Sequence, residues 1–515
     1  MIKSDSRSIL QAAPQALDFF QQRPRLLIVT LAVLFLLAGA VRFRNLTNPG
    51  LAIDREYHSA IFARAYYFES SNAIEAWRKE SAFQARRYLP ILEPSITEFL
   101  VSVIYRVAGS EQLPFARLLT SSFWLVGGIF LYNLVQRIVS TDAAVFAVAY
   151  YLLVPLGVLT SRSFQPDSLM MLTLLVSLLT MIQYYDQPSA SRLAIAALAS
   201  GLTILHRPLV LFTLIGAFVA LAIHKDGALK AFRSTRFWLF IVLSLLPFVF
   251  YYGNAVLIAG FLRWRITGMF MPHLFLTGEF WKGWLLAGTA AVGLTPLVAA
   301  LLGVPLLRRG VPRALWIGSS IGYLIFCLTN NYYIHWADYY HLQLIPLVAL
   351  PLGELLAFLL NYLKQAETKW YWWTPTLGAA VLVTFSMVLD VRSNLGGPGF
   401  ESEETAQEIG EIVHHSTHTV FLSRFYGVPL QYYSELAGVY WPRRSTYWLY
   451  SRPGERELSV QERLNIIGFT PEYFIITDFE EFNQYHTDLK AYLANNNCPL
   501  VAKSDQYLIY GACTK

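Results

Sequence analysis

Asp54 and Glu56 flank Arg55 just beyond the first long apolar run of this 515-residue chain. A carboxylate at a water–lipid boundary can take a proton from a water-borne acceptor while a lipid-borne reactant waits beside it. Further ionisable residues recur in short clusters: Arg86-Arg87, Glu93, Arg162 to Asp167, His206-Arg207, Arg263 to Lys282, and Asn330 to His341. Arginine suits a phosphate or diphosphate, because its planar fork bonds two oxygens at once and stays charged. The two chemistries together fit transfer of a group from a phospholipid-like donor. Structural readings stand beside the chemical one. Asp54 can cap a helix running from Tyr57 to Glu69, and Asp167 can complement the start of another.

The elements that must position these groups are membrane spans. Hydrophobic residues make up 55% of the chain and charged ones 14%, and the mean hydropathy is +0.42. That excludes a soluble enzyme and implies a polytopic membrane protein. The run Leu26 to Val41 is about the length of a tilted crossing, too long for a removed signal peptide. Lys3, Arg7, Arg23 and Arg25 precede it, so the amino terminus is expected in the cytoplasm. Further runs fall at 117–136, 143–160, 168–184, 193–205, 209–223, 237–259, 284–307, 314–330, 342–360 and 371–390.

Short basic loops set their direction. His224 to Arg236, Arg308 to Arg313, and Lys364 to Lys369 are all cytoplasmic only if odd-numbered spans run outward. That parity gives about eleven spans. Pro94 to Ala108 is then an interfacial helix on the outer leaflet, being short, amphipathic and marked by Glu98 and Arg106. It lies in a first external loop covering about 43–116. The polar clusters gather on this outer face, where charge at helix mouths is costly unless paired or functional. The net charge of +6 sits largely in the short loops. It reports topology, and no nucleic-acid partner is expected.

The glycine-rich break Leu395 to Gly399 separates a membrane domain, 1–392, from a small α/β domain, 393–515, expected outside the membrane. Thr419 to Leu422, Tyr473 to Thr477 and Tyr507 to Tyr510 read as strands, and Glu401 to His414 and Phe482 to Asn495 as helices. Cys498 and Cys513 flank an expected hairpin, so a disulfide is expected if that compartment is oxidising. Cys327 falls within a span and reads as a packing residue.

The order of these motifs resembles the GT-C superfamily of membrane glycosyltransferases. The similarity is to the branch holding protein O-mannosyltransferases and the lipid A aminoarabinose transferase, and it runs over roughly 26–360. Ile53-Asp54-Arg55-Glu56-Tyr57 resembles the family's Asp-Glu motif, which implies that Asp54 is the catalytic base. Arg55 interrupts the pair, so the resemblance makes Glu56 the second catalytic acid, although a helix would turn it away from Asp54. Leu92-Glu93-Pro94-Ser95-Ile96 is similar to a Pro-Pro-Leu segment, with Glu93 placed to hold acceptor or metal or to make a structural bond. Ser161 to Asp167 resembles a Ser-Arg-…-Asp segment, with Arg162 and Asp167 shaping the pocket. His206-Arg207-Pro208 resembles a Lys-Gly-Pro turn whose cation contacts donor phosphate, and Arg207 inherits that role. Asp338-Tyr339-Tyr340-His341 resembles a Tyr-Tyr-…-Leu-Pro segment, adding Tyr339 and Tyr340 as phosphate ligands and His341 as a pocket residue. Arg263 and Arg265 are further phosphate candidates.

The resemblance implies an inverting glycosyltransferase of the cell envelope. Its donor is a polyprenyl-phosphate-linked sugar, and its acceptor a glycolipid, a glycan or protein Ser/Thr. A bacterial inner membrane is the expected location. No cofactor is required. His58, His273 and His335 with Glu93 can in principle take a divalent ion, but no two histidines have zincin spacing. A lipid-linked sugar flippase is the rival from another class, and it needs polar residues in mid-span. Most spans here are free of them. A structural subunit of a larger assembly is a third reading, and it leaves Asp54 idle.

Overall fold

Long apolar stretches with no water to satisfy their backbone must form helices, and this chain forms them throughout its first two-thirds. The structure is a computed structural model that describes residues 18–47, 53–71, 73–263, 268–365, 402–444 and 458–513. Among the described residues, seven single helices are long and apolar enough to cross a bilayer, beginning with α1, Pro24–Phe43. All ten expected runs that lie within the described residues are helical. The eleventh, 371–390, lies outside them. The molecule is an integral membrane protein.

Two of the expected spans are bent pairs. The run 143–160 is α6, Thr141–Leu153, and α7, Pro155–Arg162, meeting at 56°. Pro155 forces Val154 into an extended conformation and starts a new helix. The run 284–307 breaks between Gly278–Val292 and Leu294–Gly303, a bend of 88°. Gly293 sits there at φ 80°, which a side chain would resist. Elsewhere helices approach closely: a Cβ added at Gly216 would lie 2.3 Å from the Gly318 carbonyl oxygen. Such glycine contacts let apolar helices pack backbone to backbone.

Between α1 and α5, Leu113–Ile138, the chain forms three helices: α2, Ile53–Glu69; α3, Ala76–Tyr88; and α4, Ile96–Ala108. The α4 helix buries Thr97, Val101 and Tyr105 and exposes Phe99, Leu100, Val103 and Val107. That one-sided apolar surface is what an interfacial helix requires. Its helix ends at Gly109 in the left-handed conformation.

Among the described residues, the carboxy-terminal part is a five-stranded sheet with helices. Its strands are β1, Thr419–Leu422; β2, Gly438–Tyr440; β3, Tyr473–Ile476; β4, Leu500–Lys503; and β5, Leu508–Gly511. They lie in the order β2-β1-β3-β5-β4. The first three are parallel, and the β4–β5 hairpin is antiparallel. The expected helix 482–495 is two helices, Phe479–Tyr485 and Thr487–Asn495, broken at His486. The strands β2 and β4 escaped the sequence reading because one is three residues long and the other is largely exposed. The boundary at 392/393 lies outside the described residues.

Cys498 and Cys513 form a disulfide spanning the β4–β5 hairpin, while Cys327 is free and buried in the bundle. Closing a 15-residue loop contributes about 3 kcal/mol by the chain-entropy model. Alkylation should therefore label Cys498 and Cys513 only after reduction, with a lower melting temperature for the reduced protein. Labelling without reduction would contradict the bond.

Candidate active site

The first turn of α2 carries the central carboxylates. Asp54 is half-buried there. Burial pushes its carboxyl above the usual range, opposed by the backbone N–H of Arg55 and by the Arg55 charge. Glu56 is fully buried and faces elsewhere. Its Oε1 accepts from Arg117 Nε at 2.8 Å and its Oε2 from Nη2 at 3.0 Å, while Oε1 also takes the Phe164 N–H at 3.0 Å. This corrects the expectation of a second catalytic acid: a carboxylate enclosed by a guanidinium fork and a backbone amide has a fastening role. The Arg117 Nη1 group adds a bond to the Leu46 carbonyl at 2.6 Å, tying the turn after α1 to the same point.

One residue from Asp54, Arg55 joins a chain of four alternating charges. Its Nη2 pairs with Oε1 of Glu93. The other Glu93 oxygen pairs with Arg207 Nη1 at 3.2 Å. Arg207 in turn grips Asp167, with Nη2 at 3.0 Å from both oxygens and Nε at 3.2 Å from Oδ1. Glu93, Asp167 and Arg207 are all buried. His58 steadies the outer end. Its Nε2 lies 2.9 Å from the Pro90 carbonyl, so that nitrogen donates. Its Nδ1 then accepts from Arg55 Nη1 at 3.2 Å.

Four elements distant in sequence supply this chain: α2, the turn before α4, the start of α8 (Asp167–Asp186), and the turn after α9 (Ala190–His206). The expected pocket residue Asp167 is thus brought to the expected phosphate ligand Arg207, with Glu93 between Arg207 and Arg55. Tyr339 and Tyr340 lie within electrostatic range of the Arg207 guanidinium. The Tyr340 ring is stacked on Tyr333 with centroids 5.3 Å apart.

Other expected site residues serve the scaffold. Arg162 donates to the carbonyls of Arg44 at 2.7 Å and Asn45 at 3.2 Å, capping the end of α1. His341 is buried between Tyr323, whose hydroxyl is 2.5 Å from Nδ1, and the Ile334 carbonyl, 2.9 Å from Nε2. The hydrogen bonds of both side chains go to these scaffold groups. His206 lies closer, under α4, with Nε2 at 3.1 Å from the Pro166 carbonyl and 3.4 Å from Thr97 Oγ1. Arg263 is exposed, and Arg265 lies outside the described residues. Among the described residues, no group of three or more His, Cys, Asp and Glu side chains is placed to hold a metal ion.

Sequence reasoning missed what holds α2 from its other side. The helix Val428–Ser434 of the carboxy-terminal domain packs along α2 in one apolar cluster with Tyr57, Ala60 and Ile61. The Tyr57 and Tyr433 hydroxyls meet at 2.7 Å. Arg64 donates to Glu111 at 2.7 Å and to the Tyr432 carbonyl at 2.6 Å, and Arg78 Nε reaches Glu435 at 2.7 Å. Burial alone would raise the Glu435 carboxyl, but Arg78 and Arg64 hold it below the usual range. A run of arginines on α2 and α3 was the available signal, and it carried no information about partner strands or helices.

The sequence profile of the dolichyl-phosphate-mannose-protein mannosyltransferase family matches residues 93–252, a stretch that begins at Glu93 and includes Asp167 and Arg207. No curated protein sequence matches the chain. Among solved structures, the fold is similar to ArnT from Cupriavidus metallidurans bound to undecaprenyl phosphate, at 13% identity and a TM-score of 0.56, covering 95% of this chain and 97% of that one. It is also similar to the oligosaccharyltransferase AglB from Archaeoglobus fulgidus in complex with an inhibitory peptide and a dolichol-phosphate, at 11% identity and a TM-score of 0.57, covering 89% and 70%. These likenesses show the fold.

Removing one partner of a buried ion pair strands the other at a cost of about 3–5 kcal/mol. Arg117→Met should therefore lower the thermal midpoint of the purified protein sharply, and the Arg117→Met/Glu56→Gln double variant should recover part of the loss. Equal melting of the wild type and the single variant would refute the fastening role of Glu56.

Proposed function

We propose that this chain, which carries the GT-C fold, is a membrane glycosyltransferase that moves a sugar from a polyprenyl-phosphate donor to an acceptor hydroxyl or amine, with inversion. The observation that carries the reading is the placement of Asp54 in the same helical turn as Arg55, whose guanidinium opens the charge chain to Arg207. A base and phosphate-binding cations are then adjacent, as a direct displacement requires.

In the proposed reaction, Asp54 accepts the acceptor's proton as the acceptor atom bonds to the anomeric carbon. The bond from that carbon to the phosphate oxygen breaks, and its electron pair leaves with polyprenyl phosphate. Attack opposite the leaving group inverts the anomeric configuration. Arg207 neutralises charge on the departing phosphate, with Tyr339 and Tyr340 beside it. The partial burial that raises the Asp54 carboxyl makes it a stronger base than a fully solvated aspartate. No step is given to a divalent ion, and turnover in EDTA tests that directly.

The carboxy-terminal domain and the α2 to α4 helices are placed outside the cytoplasm in this reading, with a bacterial inner membrane as the setting. The Cys498–Cys513 disulfide supports an oxidising compartment for that domain. Glycolipids, glycans and protein Ser/Thr are the acceptor classes to supply in the assay.

Transfer of radiolabelled sugar from synthetic polyprenyl-phosphate sugars should occur with wild type and fall by about 10²–10⁴-fold in Asp54→Asn. Equal rates would remove Asp54 from the chemistry; no turnover by wild type with any donor would remove the function. The pH profile carries a second expectation. Because the Asp54 carboxyl is raised and the ionised form is the base, activity should fall on acidification with an inflection above the value of about 3.9 for a free aspartate. An acid limb at or below that value would contradict it.

A further inference from the structure

Glu93 holds one guanidinium on each of its oxygens: Arg55 on Oε1 and Arg207 on Oε2, the latter at 3.2 Å. A phosphate group offers the same arrangement, two oxygens on one centre, to two separate forks. Arg55 and Arg207 are each braced from a further side. Asp167 grips Arg207 through both its oxygens, and the His58 ring accepts from Arg55 Nη1 at 3.2 Å. Both arginine heads therefore keep their direction if Glu93 withdraws. The four charges sum to zero, so an anion entering the chain either adds negative charge to a buried site or displaces a resident carboxylate. Asp167 is the more firmly held of the two. Glu93 also lies outside any helix, in the turn before α4, so its carboxylate can leave the cradle by side-chain rotation alone.

We propose that Arg55 is a second ligand for the donor phosphate, forming with Arg207 a two-arginine cradle in which Glu93 is the resident counter-ion that the phosphate displaces. The inference rests on the polyprenyl-phosphate reading above. It gives a function to the residue that separates Asp54 from Glu56. It also has a consequence for turnover. The donor is a phosphodiester with one negative charge, whereas the product is a phosphate monoester carrying about 1.5–2 at neutral pH. The product thus binds two arginines more tightly than the donor does, and the return of Glu93 to the cradle drives its release.

The test is binding of undecaprenyl phosphate to the full-length purified protein, with inorganic phosphate as a competitor to distinguish recognition of the head group from recognition of the lipid chain. Glu93→Gln removes the competing carboxylate and should tighten binding about tenfold. In a transfer assay the same variant should lower kcat and donor KM together, since product leaves more slowly. Arg55→Gln should weaken binding by about tenfold or more. The Arg55→Gln/Glu93→Gln variant separates contact from indirect effect. If Arg55 touches phosphate, the double variant binds about tenfold more weakly than Glu93→Gln; where that single variant does not fold, Arg55→Gln binds more weakly than wild type and Arg55→Lys, which keeps the charge, recovers part of the loss. Equal affinity of the double variant and Glu93→Gln, or in that second case of Arg55→Gln and wild type, would overturn the assignment. So would Glu93→Gln, folded by its melting curve, binding no tighter than wild type. Failure of wild type itself to bind undecaprenyl phosphate would instead overturn the donor reading on which the inference stands.

Discussion

The buried pair between Glu56 and Arg117 is the interaction on which the rest of the site depends. It is a double hydrogen-bonded contact at 2.8 and 3.0 Å between α2 and the first turn of α5. Desolvating two charges is expensive, and such a pair adds little stability compared with apolar packing. What it provides is definition. The Glu56 carboxylate also takes the Phe164 amide, and Arg117 also takes the Leu46 carbonyl. One point thus joins the turn after α1, the start of α2, the start of α5 and the approach to α8. Asp54 lies two residues from that point and Arg55 one, so their positions follow from it.

A helix fixed at one end still swings at the other, and the carboxy-terminal domain constrains the far end of α2. Tyr433 meets the Tyr57 hydroxyl, and the Tyr432 carbonyl meets Arg64 about two turns further along. The domain is therefore part of the site's scaffold as well as a neighbour of it. Its parallel strands and helices close around their own apolar cluster, yet its Val428–Ser434 helix shares a second cluster with α2 to α4. The membrane domain fastens α2 by charge, where bulk water is scarce. The carboxy-terminal domain fastens it by aromatic packing and hydrogen bonds. The two together hold a half-buried carboxylate at one defined place.

Much of the scaffold was legible from hydropathy, because the bilayer leaves an apolar chain little choice but helix. The runs at 117–136 and 168–184 match α5 and α8 closely. Bends were not legible: Pro155 marks one only when its helix partner is known, and Gly293 marks a bend rather than a mere weak point because the flanking helices pack in different directions. The site shows the same division. Arg207 and Asp167 were both readable as candidate site residues, and the four-charge chain joins them. Arg162 and His341 were readable by the same signal, polar groups near helix ends, but packing against carbonyls and a tyrosine uses them up. Residue type near a helix mouth does not say which neighbour will fold against it.

The sequence by itself determined the membrane class, the helical runs, the approximate strands of the carboxy-terminal domain and the presence of carboxylates and arginines at helix mouths. These depend on local composition and period, which the solvent enforces residue by residue. Only the tertiary structure decided that Glu56 fastens while Asp54 remains available, and that Arg55 and Arg207 share one carboxylate. It alone set the docking of the carboxy-terminal domain on α2. Those facts depend on which side chain meets which across distances of 38 to 376 residues along the chain, and no local pattern carries that information.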